Sequence, residues 1–403
     1  MGENTQRTLS DREDNPLLQK METREVTLSR IEAHVFRVPI DRPVETSFGR
    51  MMNRPAVFVR IEDAEGCFGW GEVFANWPAA GAEHRARLLA EDMSDLLLGL
   101  TCRAPSDLFY ALDAATQIRA LQCGEPGPFA HVIAGLDQAL HDLFARQAGM
   151  PLHHYLDETA SGAVPVYASG IHVRDGAAMR DAFRESGFRD VKVKVGFGLA
   201  EDVARVTELM KGARAGERLF ADANQAWSID EALEFVTRVG GLDLGWIEEP
   251  IRADSPAGDW IRLAENSDVA LAAGENISGV KAVEAVLANG YLDVIQPDIA
   301  KWGGFTGGLA ISRLAEAAGV TRSVHFLGGG IGLAASASYL SAIGGEGLLE
   351  FDVNENPLRD AFFEDWGLGS DGHFHLSEAP GLGIEAIPEQ ITRYETLALD
   401  CHA

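Results

Sequence analysis

The sequence predicts an α/β architecture, a closed β/α barrel preceded by a smaller α+β unit, on two observations. Within residues 164–353, eight short apolar runs alternate with stretches that are apolar every third or fourth position. That is the pattern of strands feeding crossover helices, and therefore of parallel pairing. Ahead of it, strand-like text comes first and helix-like text follows, the order of an α+β unit. Eight units of this length suit a closed (β/α)₈-type barrel better than an open doubly wound sheet. The open sheet would usually show a glycine-rich phosphate turn after its first strand, and none is present.

Taken in order, residues 1–25 are polar and mixed in charge and are expected to form a flexible extension. They lack the apolar segment of a secretory signal, which predicts a cytoplasmic protein. The α+β unit is expected over 26–155. Its strands are "VTLSRIEAHVFRVPI" and "PAVFVRIEDAEGCFGWGEVFA", with a hairpin turn at Ala64-Glu65-Gly66. Helical periodicity follows in "AEHRARLLAEDMSDLLLG", "PSDLFYALDAATQIRALQ" and "FAHVIAGLDQALHDLFARQAG". The barrel is expected over 160–355, on "VPVYASG", "VKVKVG", "LFADANQAW", "LGWIEEP", "VALAAGEN", "LDVIQPDIA", "SVHFL" and "LLEFDV". Residues 356–403, rich in Gly, Pro and aromatics, are expected to return as irregular chain over the first unit.

Bulk properties exclude several classes. A 403-residue chain with 46% hydrophobic residues can bury a sizeable core. A net charge of -27 argues against a nucleic-acid partner, which needs a basic footprint. No run approaches the ~18 apolar residues of a membrane span. The four cysteines form no CxxC pair and are expected as free thiols.

Each of the later strand runs carries an ionisable residue near its C-terminal end. They are Lys192 and Lys194, then Asp222, Glu248, Glu275, Asp298, His325 and Glu350, one β/α unit apart each time. Singly, each has an ordinary alternative: lysines on a wetted strand, a helix-capping acid, a satisfied core histidine. Barrel strands are covered on both faces, so the recurrence points to one polar site at the barrel mouth, with these residues at corresponding places on successive strands and both lysines of the one strand turned inward. Asp222, Glu248 and Glu275 are hard oxygen donors that suit Mg²⁺ rather than zinc. Lysines stand on one flank and Asp298 with His325 on the other, a layout for moving a proton at a carbon beside a carboxylate.

"KVKVG", "DANQAW", "WIEEP", "GEN", "PDIAKWGG", "SVHF" and "LLE" stand in the order and at the spacing of a known family. Over residues 26 to 400 the chain resembles the enolase superfamily and, within it, the mandelate racemase subgroup. The resemblance implies a modified TIM barrel of the (β/α)₇β type with an N-terminal α+β capping domain. It assigns Asp222, Glu248 and Glu275 to Mg²⁺ and makes Lys194 the base on one face, its pKa depressed by Lys192, which also contacts the substrate carboxylate. His325, oriented by Asp298, acts on the other face. Glu350, expected protonated, donates to the developing enediolate, and Asn224 touches substrate. Glu249 and Lys301 support the metal ligands from behind. Arg50, Asn53, Arg54, Asn76 and Trp77 stand in the family's covering loops and would set specificity.

The implied reaction is Mg-dependent removal of the proton α to a carboxylate of a small molecule, leading to dehydration of an acid sugar or hydroxy diacid to a 2-keto acid. Racemisation or epimerisation of a 2-hydroxy acid, or cycloisomerisation, would use the same groups. A non-catalytic metal-binding member of the fold would be expected to have lost some of them, and a Schiff-base aldolase would not need three carboxylates. The assembly expected is a homo-oligomer, from dimer to octamer.

Overall fold

The computed structural model describes residues 25–403, so the extension expected over 1–25 lies, but for Glu25, outside the described residues. Strands β1 (Val26–Thr46), β2 (Gly49–Asp63) and β3 (Phe68–Val73) form an antiparallel sheet, and the short β4 (Thr101–Cys102) pairs with the start of β1. The turn between β2 and β3 falls at residues 64–66, with the Gly66 N–H on the Asp63 carbonyl at 3.1 Å. Val26, Leu28, Ile31, Ala33 and Val35 of β1 are buried while most residues between them are half-exposed, the alternation of a sheet with one covered face.

Helices Gly81–Leu88, Pro105–Cys123 and Pro126–Gln147 follow. The last is buried along nearly all of residues 132–145, as a helix must be when packed between a sheet and a second domain. It lies so close to β3 that a Cβ on Gly71 would sit 2.0 Å from the Gly135 carbonyl oxygen. Glycine is required there for the backbones to meet.

The barrel strands are β5 (Ala163–His172), β6 (Asp190–Lys194), β7 (Leu219–Asp222), β8 (Ile247–Glu248), β9 (Leu271–Ala273), β10 (Val294–Ile295), β11 (Thr321–Arg322) and β12 (Leu349–Asp352). All pair in parallel in sequence order. β12 pairs with β5, and a Val324–Leu349 bridge closes the ring. Helices Gly176–Glu185, Leu199–Lys211, Ile229–Val239, Ala257–Ala264, Val280–Asn289, Gly304–Ala317 and Gly330–Ile343 separate them, so the barrel is of the (β/α)₇β type. Inside it, Tyr167, Phe220, Trp246, Ala272, Val294 and Leu348 form an apolar layer, with the Phe220 and Trp246 rings stacked at 3.6 Å. Phe220 and Trp246 precede Asp222 and Glu248 by two residues and share their inward face, so this layer floors the polar site.

Several strands are shorter than the apolar text suggests. The run 244–250 yields only Ile247–Glu248, and 323–327 lies past Thr321–Arg322. The C-terminal chain does return to the first domain, but it is not wholly irregular: Glu395–His402 is a strand that pairs antiparallel with β1, Arg30 opposite His402. No helix among the described residues is long and apolar enough to cross a membrane.

Candidate active site

Register brings the first charges together. Lys194, Asp222 and Glu248 are Cα partners across β6, β7 and β8. Three of the later members also occupy corresponding places: Ile295 is the partner of Arg322, so Asp298 and His325 each follow by three residues, and the Val324–Leu349 bridge sets His325 level with Glu350. Glu275 departs from the expectation, standing three residues past Ala272, the partner of Glu248. Glu275, Asp298 and His325 lie beyond the ends of β9, β10 and β11, while Glu350 lies within β12. Their side chains nonetheless converge.

Lys192 is 1% exposed, and its Nζ donates to both Glu248 oxygens at 2.7 and 2.8 Å and lies 2.9 Å from Glu350 Oε1. Lys194 Nζ donates to Asp222 Oδ2 at 2.5 Å. Lys301 Nζ donates to Glu275 Oε2 and Asn276 Oδ1, both at 2.8 Å. His325 Nδ1 meets Asp298 Oδ2 at 2.8 Å, and its Nε2 faces Glu275 Oε2 at 3.2 Å and Glu350 Oε2 at 3.7 Å. Both lysines of the "VKVKVG" run therefore face the interior.

Each of Asp222, Glu248 and Glu275 is held by a different ammonium group. They are not among the groups of described residues whose ligand atoms gather within 4.8 Å of one another. The donor chemistry still fits a hard divalent cation: three carboxylates from neighbouring units, all oxygen, with three ammonium groups standing where a cation's charge would act.

Charge states follow from these pairs. Burial pulls Lys192 down, but Glu248 and Glu350 outweigh it and hold the ammonium well above its ordinary value. For Lys194, burial and then Asp222 oppose each other, and the carboxylate wins over both burial and Lys192. Lys192 pulls Lys194 downward, as expected, and Asp222 pulls the other way more strongly. For Glu350, burial favours the neutral form that was expected, while Lys192 and His325 pull it below the ordinary carboxylate range.

His325 is pushed up to about 9, burial being overcome by Glu275, Glu350 and Asp298. Stability contributed by its proton is present in full below the ordinary histidine value of 6.5 and is lost as pH rises through about 9. Denaturant titrations across that window should show wild-type stability falling relative to His325→Asn; parallel curves would refute the assignment.

Backbone strain collects at the same place. Asn224, Gln225 and Glu249 have φ of 45°, 63° and 40°, directly after β7 and β8. Such residues cost roughly 1–3 kcal/mol each and cluster at functional sites. The Asn224 N–H donates to Asp222 Oδ1 at 2.8 Å, while Asn224 Oδ1 and Glu350 Oε2 are buried without hydrogen-bond partners. Glu249 accepts from Asn276 Nδ2 at 2.8 and 3.0 Å, and burial with the Glu275 charge pushes it up to about 8.

The covering-loop residues divide. Arg50 is exposed, pairs with Glu45 at 2.7 Å, and lines a cavity of about 420 Å³ with Arg42, His172, Arg174 and Asn354. Trp77 packs edge-on against Phe48 at 5.6 Å. Asn76 Nδ2 donates to the Leu327 carbonyl at 2.7 Å, steadying the loop after His325. Asn53 and Arg54, expected to hold substrate, are engaged by protein groups. Asn53 Oδ1 accepts from Arg37, itself bound to Glu83 within the first domain. Arg54 is buried, ion-paired with Asp352 and 3.3 Å from the Glu355 carbonyl, so its charge ties the domains together.

Sequence reasoning missed three groups. Gln296 Nε2 donates to Glu248 Oε2 at 2.7 Å; as a polar residue on the same strand run as Asp298, and two before it, it could have been found. Ser169 Oγ donates to Glu350 Oε1. Glu72, from the first domain, accepts the N–H groups of Gly329 and Gly332 at 2.5 and 2.7 Å, capping the helix that follows His325. A Cβ on Gly328 would lie 2.6 Å from Glu72 Oε1, so the glycine run makes room for that carboxylate.

Both domains are similar to known proteins. The family model for the mandelate racemase/muconate lactonizing enzyme N-terminal domain matches residues 30–156, and the enolase C-terminal domain-like model matches 174–390. The D-galactarolactone cycloisomerase of Agrobacterium fabrum is 27% identical, over 91% of this chain and 98% of its own. The 3,6-anhydro-alpha-L-galactonate cycloisomerase of Streptomyces coelicolor is 31% identical over 74% and 82%, and the arabinonate dehydratase of Saccharolobus solfataricus 26% over 81% and 87%. Among solved structures, a mandelate racemase/muconate lactonizing enzyme from Bordetella bronchiseptica RB50 superposes with a TM-score of 0.83 at 44% identity, covering 90% of this chain and 98% of that one. A racemase from Streptomyces coelicolor A3(2) with bound magnesium gives 0.82 at 26%, covering 92% and 100%.

Proposed function

This chain belongs to the mandelate racemase/muconate lactonizing enzyme family, and from that premise we propose that it removes the proton α to the carboxylate of a sugar acid and expels the β-oxygen. The observation that carries the reading is the pair of proton-handling groups, Lys194 and the Asp298–His325 dyad, set on either side of three carboxylates. Asp222, Glu248 and Glu275 would hold Mg²⁺. When bound, the cation supplies positive charge that neutralises those carboxylates, relieves their hold on the Lys194 proton, and stabilises negative charge developing on the substrate. Lys194 then takes the α-proton. His325, kept protonated by its acidic neighbours, delivers its proton to the departing oxygen, and Asp298 fixes the ring that does so. Lys192, fully buried between Glu248 and Glu350, holds the substrate carboxylate end.

A β-hydroxyl as leaving group makes the enzyme a dehydratase that yields a 2-keto acid. The two cycloisomerase relatives favour a second reading in which the β-oxygen belongs to a ring, as in a lactone or anhydro sugar acid; the proton transfers are unchanged. We place the substrate's distal end in the arginine-lined cavity beside β5, because His172 is the Cα partner of Lys194 and lines that cavity.

Acid sugars, hydroxy diacids and their lactones, incubated in D₂O, should form 2-keto acid or ring-opened product with α-proton exchange. Chelation should abolish turnover and Mg²⁺ restore it. Turnover indifferent to chelator would sink the reading.

A further inference from the structure

We propose that His153, His154 and Glu378 form a second cation site, for a borderline transition metal such as Zn²⁺, at the seam between the C-terminal segment and the domain junction. The two imidazoles come from helix Leu152–Leu156, directly after Pro151, with ring centroids 4.2 Å apart. Glu378 arrives from the other side of the seam, and one ligand atom from each residue lies within 4.8 Å of the other two.

A second observation points to a ligand. His153 is 1% exposed, and its Nε2 is buried with no hydrogen-bond partner. A buried polar nitrogen left unpaired is unfavourable unless something binds it. His154 is half-buried and Glu378 exposed, which leaves an outer side open for water as a further ligand. The frame is held independently of any ion. The Leu152 N–H donates to the Gly381 carbonyl at 2.7 Å, Gly381 N–H to Met150 at 2.8 Å, and Leu376 N–H to Gly162 at 2.8 Å.

Donor chemistry separates this site from the barrel. Two imidazoles and a carboxylate suit Zn²⁺, whereas the all-carboxylate set of Asp222, Glu248 and Glu275 suits Mg²⁺. The two sites share no residue, and the seam ion would staple the C-terminal segment to the helix where the domains join.

Equilibrium dialysis of the full chain against Zn²⁺ in excess Mg²⁺ tests this. One zinc per wild-type chain is expected, kept in Asp222→Asn and lost in His154→Ala and in Glu378→Gln. The zinc-dependent rise in thermal midpoint should be absent from the same two variants, which alter partly or fully exposed side chains and so leave the core intact. No uptake beside excess Mg²⁺, uptake retained in either seam variant, or uptake lost in Asp222→Asn would each overturn the site.

Discussion

Lys194→Ala is expected to lower turnover by about 10²–10⁴-fold, the range for loss of a positioned proton-transfer group, and to abolish exchange of the substrate α-proton with solvent. His325→Asn should lower turnover to a similar degree yet keep that exchange. Lys194 would still take the α-proton, its ammonium would trade protons with D₂O, and a deuteron would return to carbon because the β-oxygen lacks its acid. The asymmetry follows from the pairing: Lys194 rests on Asp222, while His325 sits opposite with Asp298 behind it and Glu275 and Glu350 before it. Proton NMR of recovered substrate, read beside product formation, separates the two variants. Exchange persisting in Lys194→Ala, or normal turnover in both, would show that the roles are misassigned.

Lys192→Met should be the most damaging change to stability. The ammonium contacts both oxygens of Glu248 and one of Glu350, with Asp222 Oδ2 at 3.4 Å, all in a fully buried setting. Removing it strands carboxylates inside the protein, and breaking a buried pair in this way costs about 3–5 kcal/mol. The stranded acids can take up protons, so the loss should be greatest in alkaline buffer and shrink as pH falls toward the ordinary carboxylate range. Urea titrations of chelated protein at several pH values measure it, and added Mg²⁺ should recover part of the deficit. A variant as stable as wild type at every pH would mean that the cluster is not held by this lysine.

Much of this architecture could be read from the sequence. The barrel was legible because its period is written eight times, and the site because the interruptions of apolar text recur with that period. What could not be read depends on contacts between distant segments. Arg54 looks like a loop arginine until Asp352, nearly three hundred residues on, is found against it. Glu72 carries no spacing signal, since its partners are backbone N–H groups in the other domain. Charge states were hidden for a similar reason. Whether Glu350 is ionised turns on ångström distances to Lys192 and His325, which no spacing encodes. The strand Glu395–His402 was overlooked although "ETLALDCH" alternates; the glycine- and proline-rich text before it masked a short signal.

That last strand bears on how the fold is completed. Because Glu395–His402 covers the outer border of β1, with Arg30 facing His402, the hydrogen-bonding groups of that border stay open until chain from beyond the barrel has come back to meet them. Before then the partly folded protein displays a template for mispairing with other chains. Docking of this strand is thus the event that seals the first domain, and a variant that unpairs it would leave the barrel whole but that border bare.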